Sequence, residues 1–139
     1  MMQIRRFSRD ARGAAAVEFA MLLPFLAFLL VIAVDWGRIF YYSITCENCA
    51  RNGAMWYCDP VVQQMSPYTN VTDAATADAT DLSPTPTVTP TTGTDSNGNT
   101  YYQVTVTYTF STVTNFPGVP NTTSVTRSVI MYPAPSAPK

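Results

Sequence analysis

Residues 12 to 34 read Arg-Gly-Ala-Ala-Ala-Val-Glu-Phe-Ala-Met-Leu-Leu-Pro-Phe-Leu-Ala-Phe-Leu-Leu-Val-Ile-Ala-Val, and this stretch decides the fold. From Ala14 to Val34 there are 21 residues with a single charge among them, Glu18. At a rise of about 1.5 Å per residue, a helix of that length covers the ~30 Å hydrocarbon core of a bilayer. Residues 14–34 are therefore expected to be a transmembrane helix. Pro24 lies inside it, and a membrane helix packed against neighbours tolerates the carbonyl that a proline frees. A carboxylate within a span costs about 3 kcal/mol at the helix centre even on lenient insertion scales, so Glu18 calls for a partner and a role. A conventional signal peptide has a shorter apolar core, about 7 to 15 residues, and ends in a small-x-small site. Here the run leads instead into Asp35-Trp36-Gly37-Arg38.

The flanks orient the span. Arg5, Arg6, Arg9 and Arg12 precede it with only Asp10 against them, whereas four basic and seven acidic residues follow Val34. The positive-inside bias keeps the N-terminus in the cytoplasm and sends the rest across the membrane. With 139 residues, 12% of them charged and a net charge of -1, the chain accommodates one small domain beside the span. It has no basic face for nucleic acid.

Helical character continues outward. No proline occurs from Trp36 to Tyr57, and Trp36, Ile39, Phe40, Ser43, Cys46, Cys49, Ala50, Gly53 and Trp56 recur at spacings of three and four. Asp59-Pro60 ends the pattern. One helix from about Ala14 to Tyr57 is expected, with 35–58 outside the membrane and Trp36, Tyr41 and Tyr42 as aromatic belt residues.

Four elements along this helix carry a resemblance. Val17-Glu18-Phe19-Ala20, Leu23-Pro24, Asp35-Trp36-Gly37-Arg38 and Ala50-Arg51-Asn52-Gly53-Ala54 resemble the successive landmarks of the TadE-like pseudopilin family, over residues 12 to 57. Met55 stands where that family usually has arginine, and Trp36 where it usually has another aromatic. Gly13, five residues before Glu18, resembles the processing site of type IV pilin-like precursors. The resemblance implies that a prepilin peptidase removes the basic leader 1–13 between Gly13 and Ala14. It also implies that Glu18 and Phe19 serve assembly into a tight-adherence pilus as a minor subunit. The implied partners are the membrane, other pilin and pseudopilin subunits and the pilus assembly platform. The implied location is the bacterial inner membrane, with the C-terminal part extracytoplasmic and available to a surface pilus that mediates adhesion. The alternative is an uncut single-pass anchor displaying a small adhesive or scaffolding domain.

Residues 59–100 are dominated by Thr, Ala, Asp and Pro, as in Ser83-Pro84-Thr85-Pro86-Thr87-Val88-Thr89-Pro90-Thr91-Thr92. This composition predicts an extended loop or linker with little core. After the turn signal Asp95-Ser96-Asn97-Gly98-Asn99 the period changes to two. Tyr102, Val104, Val106, Tyr108 and Phe110 fall on one face. A second strand is expected over Thr123 to Tyr132, with Val125, Val129 and Met131 on one face and Arg127 interrupting it. The loop Asn115-Phe116-Pro117-Gly118-Val119-Pro120 would join the two as an antiparallel pair within 101–132. Two strands alone are marginal in water, so they should pack on the extramembrane helix. Residues 133–139 read as a frayed tail. The expected class is α+β: a long N-terminal helix with a small antiparallel β unit.

Cys46 and Cys49 form a Cys-x-x-Cys unit without the βαβ context in which that unit does redox chemistry. A zinc site lacks ligands, since the chain has no histidine. In an oxidising compartment the three cysteines Cys46, Cys49 and Cys58 would instead give one disulfide and one odd thiol, free or paired to another subunit. Cys58, just past the helix, reaches Cys49 more easily than two cysteines of an unbroken helix reach each other. Asn70-Val71-Thr72 and Asn121-Thr122-Thr123 match a glycan acceptor pattern that arises readily in Thr-rich sequence. Asp73, Asp78, Asp81 and Asp95 lack the spacing of a calcium loop and read as solvating charges. No nucleophile and base pair, phosphate loop or metal cluster appears, so neither an enzyme nor a cofactor or metal is expected.

Overall fold

The structure is a computed structural model and describes residues 11–113 and 121–133. Its main element is α1, Ala11–Cys58, a 48-residue helix with Pro24 inside it. The apolar part of α1 is long and apolar enough to cross a membrane, and none of residues 13–34 is buried by the rest of the chain. Beyond Val34 the same helix becomes the backbone of a small domain. Two short helices follow, α2 (Pro60–Met65) and α3 (Val71–Thr76), then β1 (Thr87–Thr94), β2 (Thr100–Ser111) and β3 (Thr122–Met131). The strands form an antiparallel sheet in the order β1-β2-β3, so the architecture is the expected α+β.

The β2 face is as the alternation predicts. Val104, Val106, Tyr108 and Phe110 are buried, and Val125 joins them from β3 with Val129 and Met131 packed alongside. Arg127, which interrupts that face, reaches across to α1, where its guanidinium donates to the Ser43 hydroxyl. The outer face is a ladder of hydroxyls, including Thr105 with Ser128 at 3.1 Å and Thr107 with Thr126 at 3.1 Å. The connecting loop expected at Asn115–Pro120 lies outside the described residues.

The stretch 59–100 is more ordered than a linker, and three local causes account for this. Asp59 caps α2, its carboxylate accepting from the Val61 N–H at 2.8 Å, and Pro60 takes the first helical position, where no N–H is needed. The same dipeptide thus ends one helix and begins the next. Asn70 caps α3 by accepting from the Asp73 N–H at 2.8 Å. The third cause is position in the sheet. Residues 87–94 pair along β2 with Pro90 opposite Val104, and β1 is an edge strand, where a residue without an N–H removes no ladder bond on its open side. The unit is a three-stranded sheet rather than a strand pair.

The turn expected at Asp95–Asn99 joins β1 to β2. The Asp95 carboxylate accepts from the N–H groups of Asn97 at 2.9 Å and Asn99 at 2.8 Å. Gly98 adopts φ 83°, a left-handed conformation that side chains disfavour.

Candidate assembly surface

The residues singled out for processing and assembly lie at the base of α1. Gly13 opens onto free space: a Cβ added there would meet nothing within 4 Å. Glu18 and Phe19 follow on the same exposed stretch, and among the described residues no ion pair includes Glu18. The chain therefore supplies the carboxylate with no partner of its own among those residues, in a segment whose surroundings in the cell would be lipid or other helices. Leu23 and Pro24 are exposed in the same way.

The landmarks above the span have an internal explanation. Asp35, the first charge after the apolar run, is only 6% exposed. Its carboxylate accepts from the Val113 N–H at 2.9 Å and pairs with Arg38 at 3.5 Å, one helical turn on. Arg38 in turn donates to the Tyr42 hydroxyl at 3.4 Å and lies over the rings of Tyr42 and Phe110, 5.7 and 5.4 Å from their centroids. The stretch Asp35–Arg38 thus clamps the end of β2 to the helix. Sequence reasoning gave Asp35 no role; the visible signal was a carboxylate at the end of the span with an arginine three residues later.

The Ala50-Arg51-Asn52-Gly53-Ala54 element is the contact seat of the domain. Ala50, Gly53 and Ala54 are buried, and a Cβ on Gly53 would lie 2.9 Å from the Ala75 Cβ and 3.1 Å from the Val104 Cγ1. Small residues let α3 and β2 approach the helix axis closely. Asn52 donates to Asp78 at 2.8 Å, which fastens the segment after α3 to α1. Met55 is exposed beside Trp56 on the rim of a hollow of about 180 Å³ that also includes Tyr68 and Asp78.

The helical stripe needs correction at its lower end. Trp36 and Phe40 are exposed and touch each other, with ring centroids 6.3 Å apart. The packed face instead runs through Asp35, Ile39, Tyr42, Cys46, Cys49, Ala50 and Gly53. Tyr42 leaves the aromatic belt for the core, meeting Tyr108 at 4.8 Å and Phe110 at 4.6 Å. Tyr41 donates its hydroxyl to Asp81. The cause is the sheet, which covers the side of the helix that Asp35 and Tyr42 occupy. The acidic residues also do more than solvate. Asp73 belongs to a cap, Asp78 and Asp81 anchor the segment after α3, and Asp95 builds a turn.

Cys46 and Cys49 are fully buried against the sheet, and Cys58 is half-buried at the end of α1, where its thiol donates to the Met55 carbonyl at 3.5 Å. The three are separate thiols in this structure. Burial pushes the Cys49 thiol up to about 11 and raises Cys46 as well. Asn70 of the first glycan-like triplet is engaged in its cap. Among the described residues no cluster of three or more His, Cys, Asp or Glu side chains could hold a metal ion.

These features define a class: a single apolar N-terminal helix that runs unbroken into a small α+β domain resting on its upper half. Within that class, residues 13–55 match the family described as TadE-like protein, which bears out the resemblance over the stretch that carries all four landmarks. No curated protein and no solved structure matches the chain.

Proposed function

We propose that this chain is a minor pilin-like subunit of a tight-adherence pilus, made as a membrane precursor and not an enzyme, that helps to initiate or support pilus assembly. The observation that carries the reading is Glu18, a carboxylate on an exposed apolar helix within the segment that matches the TadE-like family. Removal of residues 1–13 after Gly13 by a prepilin peptidase would leave a new amine on Ala14. A neighbouring subunit displaced by about four residues of helix, roughly 6 Å, brings that amine beside Glu18. Pairing relieves the cost of holding both charges in an apolar setting and fixes the axial register between subunits. Phe19, exposed next to it, packs on the same neighbour. The N-terminus lies in the cytoplasm and the sheet domain outside the inner membrane, as the arginines before the span direct.

Mass spectrometry of the N-terminus from a membrane fraction, combined with Glu18→Ala, tests this. The chain should begin at Ala14 when a prepilin peptidase is present, and Gly13→Val should stay uncut. Glu18→Ala should insert and be cut normally while piliation falls sharply, with Glu18→Asp between the two. A chain that keeps Met1 beside the peptidase, with full piliation in Glu18→Ala, would refute the subunit reading and leave a simple anchor.

A further inference from the structure

We propose that the domain has no stalk: it sits on the outer surface of the bilayer, with Val113 against the lipid headgroups beside Trp36. The contact that fixes this is the bond from the Val113 N–H to the Asp35 carboxylate at 2.9 Å, which joins residues 78 apart in sequence. Asp35 is the residue at which the apolar run stops. The end of β2 is therefore held at the height where the helix leaves the hydrocarbon, and the side chain of Val113 is held there with it.

What the domain shows at that height suits lipid. Val113 is 59% exposed and Trp36 57% exposed, and Phe40 extends the apolar surface one turn up. Among the described residues the charges at this level are used internally. Asp35 is buried, and Arg38 is committed to Asp35, to the Tyr42 hydroxyl and to two aromatic rings. A tryptophan and an aliphatic side chain with no free charge between them match the headgroup boundary, where amphipathic rings and apolar side chains gain by leaving water. The carboxylates stand away from it. Asp81 is tied to Tyr41, six residues above Asp35, and Asp78 to Asn52, seventeen above. At 1.5 Å per residue those anchor points lie about 9 and 26 Å further up the helix. An apolar base with exposed acids held above it keeps those carboxylates in water, clear of the headgroup boundary.

The inference concerns the chain in the membrane and is independent of pilus assembly. It is tested with the full chain in phospholipid nanodiscs containing a lipid brominated on its acyl chains, which quenches nearby tryptophan emission. The chain has two tryptophans. Trp56→Phe leaves Trp36, Trp36→Phe leaves Trp56, and Trp36→Phe with Trp56→Phe and Val113→Trp moves the probe to the end of β2. Trp36 and Val113→Trp should each lose about half of their emission to the brominated lipid and be shielded from aqueous acrylamide, as interfacial residues are. Trp56, twenty residues up and about 30 Å away, should be unaffected by the lipid. Val113→Trp behaving like Trp56 would overturn the proposal, because the base of the domain would then stand clear of the bilayer. A probe at 113 reached by neither quencher would also overturn it, since protein rather than lipid would cover the site. Ser111→Trp, at the exposed end of β2, replaces the probe if Val113→Trp disturbs folding, and the same two outcomes decide.

Discussion

Gly53 and Gly37 lie in one helix, and alanine should stabilise at Gly37 but not at Gly53. In a helix interior glycine is about 1 kcal/mol less favourable than alanine, so propensity alone favours both substitutions. At Gly37 nothing lies within 4 Å of the added methyl, and Gly37→Ala should stabilise the domain by about 1 kcal/mol, a rise of about 4–8 °C in Tm for a domain of this size. At Gly53 the methyl would be forced against the Ala75 Cβ at 2.9 Å and the Val104 Cγ1 at 3.1 Å. Neither neighbour is the far end of a flexible side chain, so α3 or β2 must move, and overpacking of this kind costs about 1–3 kcal/mol. Gly53→Ala should therefore be neutral to about 2 kcal/mol destabilising, and Gly53→Val clearly worse. The assay is thermal unfolding of the full chain in detergent micelles, followed by near-ultraviolet circular dichroism of the tyrosine cluster. A Gly53→Ala protein stabilised as much as Gly37→Ala would refute the close seating of α3 and β2 on the helix.

Other expectations follow from the core, the thiols and the turn. Val104→Asp places an unpaired charge at a fully buried site and should cost about 3–5 kcal/mol, enough to make the domain sensitive to protease, whereas Thr105→Asp on the hydroxyl face should be mild. Equal damage from both would show the strand register to be wrong. Alkylation of the native chain at neutral pH should modify Cys58 first and leave Cys46 and Cys49 untouched until denaturant is added, because burial raises their pKa values and blocks access. Rapid labelling of Cys46 in the native protein would contradict its place in the core. Asp95 has its pKa lowered, chiefly by the Asn99 N–H and with help from the Asn99 side chain and the Asn97 N–H. A carboxylate with a depressed folded pKa stabilises above its unfolded value and loses that contribution as pH falls through the folded one. The β1–β2 turn should accordingly loosen below about pH 4, and Asp95→Asn should flatten that acid response in the amide signals of Asn97 and Asn99.

Where the sequence was readable, periodicity and burial agreed. The apolar run and the proline-free stretch after it gave one helix because nothing between Trp36 and Tyr57 breaks it, and β2 could be assigned because its alternation is uninterrupted. The reading failed where a local signal had two meanings. Threonine and proline in 83–92 suit a solvated extended chain and also an edge strand, and only pairing with β2 distinguishes them. Asp59-Pro60 signals a stop and a start alike. The position of Trp36 and Phe40 depends on which side of the helix the sheet covers, and that is set by contacts far apart in sequence, such as the core and the bond between Asp35 and Val113 across 78 residues, which no local pattern encodes. For the site, Glu18 stood out because its environment is apolar throughout, whereas Asp35 was hidden by looking like an ordinary charge at a membrane boundary.

Because α1 is one helix from Ala11 to Cys58 and the sheet is clamped to its upper half, the span and the domain share a phase. The bearing of Glu18 around the axis, relative to the sheet, is set by the count of residues between Glu18 and Asp35. Each residue added or removed there turns the carboxylate by about 100° and shifts it by about 1.5 Å. Inserting two residues would aim Glu18 at nearly the opposite side of the subunit, while inserting seven would return it to within about 20° of its bearing, some 10 Å further from the domain. The length of this apolar stretch therefore carries directional information as well as thickness. A segment of unchanged hydrophobicity and altered length would therefore, for most changes of length, turn its carboxylate to another side of the domain.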